Sequence, residues 1–333
     1  MNNDRNDIIR LDSLEIGYLS GRIPVPILPP LSASSAGGEL IAIAGRNGIG
    51  KSTLLRTLAG LQQALAGEVL IAGRSISSCS RIELAKKIGY ISTEVVRVSN
   101  MSVYDLVTLG RFPHTNWLGT IDQNDRVSIE KSITRTGLSS MKERNISEIS
   151  DGERQKAMIA RVLAQDTEIL IMDEPTAFLD IASKYEIISL MLELTREGKT
   201  ILFSTHDFNI AVNQADKIWL ILDDRLIEGA PEDLFMNGAF EHLFDSSVVK
   251  FNSAEGDFSF HTASNRSVYL EGDGPVRKWT EHALTRAGFR VSPSITDPRV
   301  RITGNPENRW LILRDNTESA CSSLYDLVRR LRE

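Results

Sequence analysis

A mostly parallel α/β sheet, covered by helices on both faces, is the fold class this sequence predicts. Two observations predict it: strand-sized apolar runs recur between about residues 40 and 230, and helical patterns separate them. "LIAIAG" (40–45) reads as a buried strand and "KSTLLRTLAG" (51–60) as the helix after it. "EILIMDEP" (168–175) is a strand, "IASKYEIISLMLELTREG" (181–198) a helix and "TILFSTHD" (200–207) a further strand. "IWLILDDRLIEGAP" (218–231) reads as two strands around a tight Asp-Asp turn. "RIPVPILPPLSASSAGGE" (22–39), rich in Pro, Ser and Gly, reads as a loop or edge connection.

After about residue 245 the pattern changes. "SVYLEG" (267–272) suggests a strand, and "PVRKWTEHALTRAGF" (275–289) a helix with a Gly stop. "RVRITG" and "RWLILRD" pair as a hairpin, and "SLYDLVRRLRE" forms a last helix. Residues 246–333 are thus expected to be a small α+β appendage to a 1–245 domain.

The net charge of −6 does not favour a nucleic-acid-coating surface. Cys79 and Cys321 lack metal-type spacing and read as reduced thiols. The N-terminal stretch is polar without an apolar signal core, and the apolar runs are too short to span a bilayer. Any membrane role is therefore expected to go through a partner.

"GRNGIGKST" (45–53) fits G-x-x-x-x-G-K-[ST] between a strand and a helix. Gly45, Gly48 and Gly50 let the backbone turn its N–H groups toward phosphate oxygens. Lys51 is suited to neutralise the β- and γ-phosphates, and the Ser52 hydroxyl to bind Mg²⁺. Asp173, at a strand end in "ILIMDEP", suits the same cation, and Glu174 suits polarising an attacking water. His206 ends another strand and is placed to donate to a γ-phosphate. "ISDGERQ" (149–155) has two readings. Ser150 and Glu153 make a capping-box pattern, while a helix start is also an anion site, into which Asp151 puts a carboxylate.

These residues resemble the ATP-binding subunit of an ABC transporter, a P-loop NTPase cassette, over roughly residues 8–245. In that resemblance Gly45, Arg46, Asn47, Gly48, Ile49, Gly50, Lys51, Ser52 and Thr53 form Walker A, and 169–174 form Walker B. Residues 149–153 fall at the family signature, 177–180 at the D-loop, and His206 at the switch histidine. Tyr18 is placed like the aromatic that stacks on adenine, and reads equally as a structural tyrosine. The resemblance implies a helical subdomain over about 95–165 and a head-to-tail homodimer. ATP would sit between one chain's Walker A and the other chain's Ser150, Gly152 and Glu153. It also implies Mg²⁺, transmembrane permease subunits, an indirect link to a substrate-binding protein, and a place at the cytoplasmic face of the inner membrane.

Two positions depart from the family. Thr93 stands where a Gln normally touches the metal, with Glu94 beside it, and Asp151 stands where the first signature glycine normally lies. "MSVYDLVTLGRFPHTNWLG" (101–119) resembles the corresponding stretch of ATPases that serve importers of iron-siderophores, haem and cobalamin. The leading expectation is therefore the ATPase of a metal-chelate importer. A soluble ABC ATPase and a nucleotide-gated regulatory module are the alternatives. For the tail, a dimer contact, a regulator site and simple stabilisation all stand open.

Overall fold

The computed structural model describes residues 7–93, 100–116, 119–243, 249–252, 257–260, 266–303, 309–315 and 317–333. The chain divides into two compact units, Met1–Ser246 with Ser253–Asp257, and Ser247–Asn252 with Phe258–Glu333.

The first unit begins with β1 (Asp7–Glu15), β2 (Gly17–Ser20), β3 (Ile23–Pro26) and β4 (Leu31–Ala36). The 22–39 stretch, read from sequence as a loop or edge, thus carries two strands. β3 pairs with β2 in an exposed hairpin, and β4 is an edge strand paired with β1. In β1, Ile9, Leu11 and Leu14 face inward between polar residues, the alternation of a sheet with one wet face.

Next come β5 (Leu40–Gly45), α1 (Lys51–Leu58), β6 (Ala66–Ile71), β7 (Arg74–Ser75), α2 (Arg81–Ala85) and β8 (Ile88–Ile91). Three helices follow: α3 (Val103–Thr108), α4 (Gln123–Arg135) and α5 (Asp151–Ala164). The unit is completed by β9 (Ile169–Met172), α6 (Ile181–Arg196), β10 (Thr200–Ser204), α7 (Phe208–Gln214), β11 (Lys217–Ile221), β12 (Leu226–Gly229) and α8 (Pro231–Met236).

Two sheets result. The order β12-β11-β5-β10-β9-β8 is parallel except at β12, which turns back antiparallel at Asp223–Asp224. The order β4-β1-β6-β7 is antiparallel throughout. One buried cluster joins them: Ile9, Leu11 and Val69 of the antiparallel sheet, Leu54 and Leu58 of α1, and Ile43, Ile171 and Trp219 of the parallel sheet. Fully burying each such aliphatic side chain contributes roughly 1.5–3 kcal/mol. This packing fixes the carboxyl ends of β5, β9 and β10 relative to one another, where ligands gather in open α/β sheets.

After α3, Arg111 ties α4 to the end of α5 through a buried ion pair. Arg111 Nε donates to Asp125 Oδ1 at 2.7 Å, and its Nη1 to the Ala164 carbonyl at 2.7 Å. The 101–119 stretch singled out in the sequence therefore contains a buried packing arginine. Trp117 and Leu118 of that stretch lie outside the described residues.

In the rest of the chain β13 (Val249–Asn252) pairs with β14 (Asp257–Phe260). β15 (Arg266–Glu271), α9 (Gly274–Arg286), β16 (Phe289–Ser292), β17 (Arg299–Ile302), β18 (Trp310–Arg314), β19 (Thr317–Cys321) and α10 (Leu324–Arg332) follow. Their sheet runs β16-β15-β17-β18-β19, with β17 and β18 antiparallel as the hairpin reading expects. β16 and β19 are additions to that reading. The core holds Val268, Leu270, Leu284, Val300, Ile312 and Leu327. The buried Trp310 Nε1 donates to Thr280 Oγ1 at 2.8 Å. Cys79 and Cys321 are free thiols. Among the described residues no helix is long and apolar enough to cross a membrane.

Candidate functional site

β5 delivers the chain to the Gly45–Thr53 loop at the sheet's carboxyl edge. A Cβ on Gly45 would lie 2.8 Å from the Ile221 carbonyl oxygen, so only glycine lets the loop leave beside β11. Gly50 precedes α1 with φ 111, a backbone state an L side chain rarely adopts. Arg46, Asn47 and Gly48 are exposed, and Ile49 closes the turn by donating its N–H to the Arg46 carbonyl. Arg46 also reaches Asp223 at 3.5 Å.

Lys51 is buried beneath the loop, and its Nζ donates to the carbonyls of Gly45 at 3.0 Å and Arg46 at 3.1 Å. Burial pushes its pKa below the usual lysine value, against the opposing pull of Glu174 and Asp173. Ser52 is exposed, and its hydroxyl donates to Asp173 Oδ1 at 3.1 Å. A hydroxyl and a carboxylate oxygen so close together at the rim of this loop are the hard donors Mg²⁺ takes alongside phosphate oxygens. The donor set fits that cation. Thr93 Oγ1 donates to the main-chain carbonyl of Asp173 at 3.1 Å, so its proton is engaged by the backbone behind the acid. Glu94 lies outside the described residues.

Glu174 Oε2 stands 3.4 Å from His206 Nδ1. Tyr18, 55% exposed on β2, has its hydroxyl 2.9 Å from Thr53 Oγ1, which puts the ring at the loop's edge. One residue was missed by sequence reasoning. Ser204 Oγ donates to Asp173 Oδ1 at 2.7 Å and accepts the Glu174 N–H at 2.8 Å. Its only sequence signal is its place at the end of a strand.

Ser150, Gly152 and Glu153 stand apart from this cluster: among the described residues, the side-chain hydrogen bonds of Ser150 and Glu153 are to each other. Ser150 caps α5 by accepting the Glu153 N–H at 3.2 Å, and Glu153 Oε2 accepts the Ser150 N–H at 2.8 Å. That bond and the Ser150 hydroxyl hold the Glu153 carboxyl below its usual range. Asp151, its side chain 69% exposed, pairs with Arg154. Arg154 also donates to the Ile146 and Ile149 carbonyls, which draws Asp151 away from the helix start. A Cβ on Gly152 would meet Ser183 Oγ at 2.7 Å, so α6 packs too closely for a side chain there.

Residues 28–177 match the ABC transporter family model, and residues 265–332 match the iron ABC transporter C-terminal domain. The achromobactin transport ATP-binding protein of Dickeya dadantii is 34% identical over 71% of this chain and 84% of its own length. The iron(3+)-hydroxamate import ATP-binding protein of Bacillus subtilis is 38% identical over 60% of this chain and 73% of its own length. A dimeric bacterial ABC transporter cassette superposes with a TM-score of 0.59 at 26% identity, over 67% of this chain and 98% of that chain. With a glycine-rich loop, an acid pair and a histidine on adjoining strand ends, and with these relatives, the chain belongs to the ATP-hydrolysing, ATP-binding subunits of ABC transporters.

Proposed function

We propose that this chain powers an importer of a metal chelate of the iron-siderophore, haem or cobalamin kind. The observation that carries the substrate class is the match of residues 265–332 to an iron-transporter C-terminal domain. Relatives named for achromobactin transport and iron(3+)-hydroxamate import support it. Two copies would pair head to tail on permease subunits at the cytoplasmic face of the membrane. The dimeric cassette among the structural relatives supports that arrangement.

In this reading the loop amides from Gly45 to Thr53 receive the phosphates, and Tyr18 stacks on adenine. Lys51 exchanges the Gly45 and Arg46 carbonyls for β- and γ-phosphate oxygens. Ser52 and Asp173 would hold Mg²⁺, with Thr93 behind Asp173; the ion supplies neutralisation of charge on the β- and γ-oxygens. Glu174 accepts a proton from the water that attacks the γ-phosphorus in line, the bond to the bridging oxygen breaks, and ADP and phosphate leave. His206, beside Glu174, donates to the γ-phosphate. Ser150 and the N–H of Gly152 contact the γ-phosphate held by the second copy.

Glu174→Gln is expected to retain ATP binding, lose nearly all turnover and accumulate ATP-trapped dimers in gel filtration. Turnover at the wild-type rate would refute the assignment of the base. Co-purifying the membrane subunit and measuring uptake of ferric siderophore, haem and cobalamin tests the transport reading. Uptake of none of the three would refute the substrate class.

A further inference from the structure

We infer that Ser204 is a positioning residue of the ATPase site, one hydroxyl that orients the Asp173 carboxylate and pins the backbone of Glu174. The inference rests on the proposed roles of Asp173 at Mg²⁺ and Glu174 at water.

The parallel register makes the contact. Phe203 pairs with Met172, so the next residues along β10 and β9, Ser204 and Asp173, come abreast. On its other side Ser204 pairs with Ile43 of β5, and the Thr205 N–H donates to the Ile43 carbonyl at 3.1 Å. Ser204 is 0% exposed, held between two strands in the middle of the sheet. A hydroxyl has one proton and two lone pairs. Here the proton goes to Asp173 Oδ1 at 2.7 Å, and a lone pair takes the Glu174 N–H at 2.8 Å.

Both bonds matter to chemistry. Asp173 Oδ1 also accepts from Ser52, at 3.1 Å. When Ser52 turns its oxygen to a cation that bond is lost, and the buried Ser204 is the donor that stays. Hydrogen bonds to charged groups are the stronger kind, so the carboxylate keeps its orientation as its partners change. Glu174 has φ 48, a left-handed conformation a non-glycine residue keeps only where its surroundings enforce it. Its N–H is fixed by Ser204, and its carbonyl accepts the Ala177 N–H at 3.1 Å. The residue's backbone is therefore held on both sides, and its carboxylate stands beside His206.

The test compares full-length wild type, Ser204→Ala and Ser204→Thr. ATP affinity is measured by titration calorimetry in Mg²⁺ and in EDTA, and kcat and KM are measured in parallel. Ser204→Ala should bind ATP in EDTA within about twofold of wild type, yet lose about tenfold of the affinity gain that Mg²⁺ gives. Its kcat should fall about ten- to a hundredfold with KM much less changed, and Ser204→Thr should recover most of both. Wild-type Mg²⁺ dependence in Ser204→Ala, an equal loss in EDTA, or no recovery with threonine would each overturn the inference. Failure of the wild-type chain to bind or hydrolyse ATP would instead overturn the site assignment itself.

Discussion

Helices α4 and α5 begin with the same device and end in opposite circumstances. In α4, Asp122 accepts the Asp125 N–H and Asp125 accepts the Asp122 N–H; in α5, Ser150 and Glu153 make the same exchange. The α4 cap is then buried: Asp125 is 5% exposed and takes Arg111 Nε, while Arg111 also binds the Ala164 carbonyl at the last turn of α5. The α5 cap stays at the surface, with Ser150 exposed and Asp151 drawn aside by Arg154. A capping box therefore does not reveal whether a helix start is scaffold or binding site. What packs against it does. Here a cap locked by a buried arginine holds the helices together, and a second, solvent-facing cap is the one proposed to meet the nucleotide of a second copy.

The largest effect should come from breaking the buried cap. Arg111→Ala leaves Asp125 as an unpaired buried charge and the Ala164 carbonyl without its donor. A loss of about 3–5 kcal/mol is expected, read as a lower urea midpoint. A loss below about 1 kcal/mol would put the two caps in one class.

The same contrast shows what the sequence could and could not reveal. The parallel strands were legible because burial on both faces makes them continuous apolar runs, as in "LIAIAG" and "TILF". β1 and β4 were not, because each wets one face and interleaves polar residues among Ile9, Leu11 and Ala33. The Gly45–Thr53 loop between β5 and α1 was legible because its residues follow one another on one short turn. Ser204 was invisible, since its partners Asp173 and Glu174 are about thirty positions away in the chain and only strand register joins them. Gly152 was read as a phosphate contact, and its closeness to Ser183 supplies a packing reason for glycine that no local pattern carries. The packing role of Arg111 had no local signal, because its partners Asp125 and Ala164 lie on α4 and α5.

Next in size is the exposed cap. Ser150→Ala should cost about 1 kcal/mol of stability, as for an ordinary N-cap. ATPase turnover should fall about tenfold or more, beyond anything a loss of that size in folded protein explains. Turnover that merely follows the folded fraction in a urea series would reduce Ser150 to a plain cap. Asp151→Asn should be milder. Its pair with Arg154 is exposed on the aspartate side, so stability should move by no more than about 0.5 kcal/mol. If its charge opposes closure, ATP-driven dimerisation should tighten about threefold at low salt and less at high salt, as light scattering can show. Unchanged dimerisation would make Asp151 a bystander.

The smallest effect is acid sensitivity, and it too separates the caps. Glu153 is held below the usual glutamate range by the Ser150 N–H and hydroxyl. For Asp125, burial alone would raise the carboxyl, but the Arg111 bond, the Asp122 N–H and the Arg111 charge together bring it lower. Both folded-state values thus lie below the unfolded ones, near 4. On acidification the unfolded chain takes up its protons first. The stabilisation is complete above the unfolded values and is lost as pH falls through the folded ones. Urea midpoints followed downward from about pH 5 should therefore drop, and Asp125→Asn should flatten that slope more than Glu153→Gln. Glu153 sits in a partly solvated cap, where water screens the charge and a neutral amide can still accept the Ser150 N–H. A larger flattening from Glu153→Gln would reverse the ranking and make the exposed cap the more strongly held of the two.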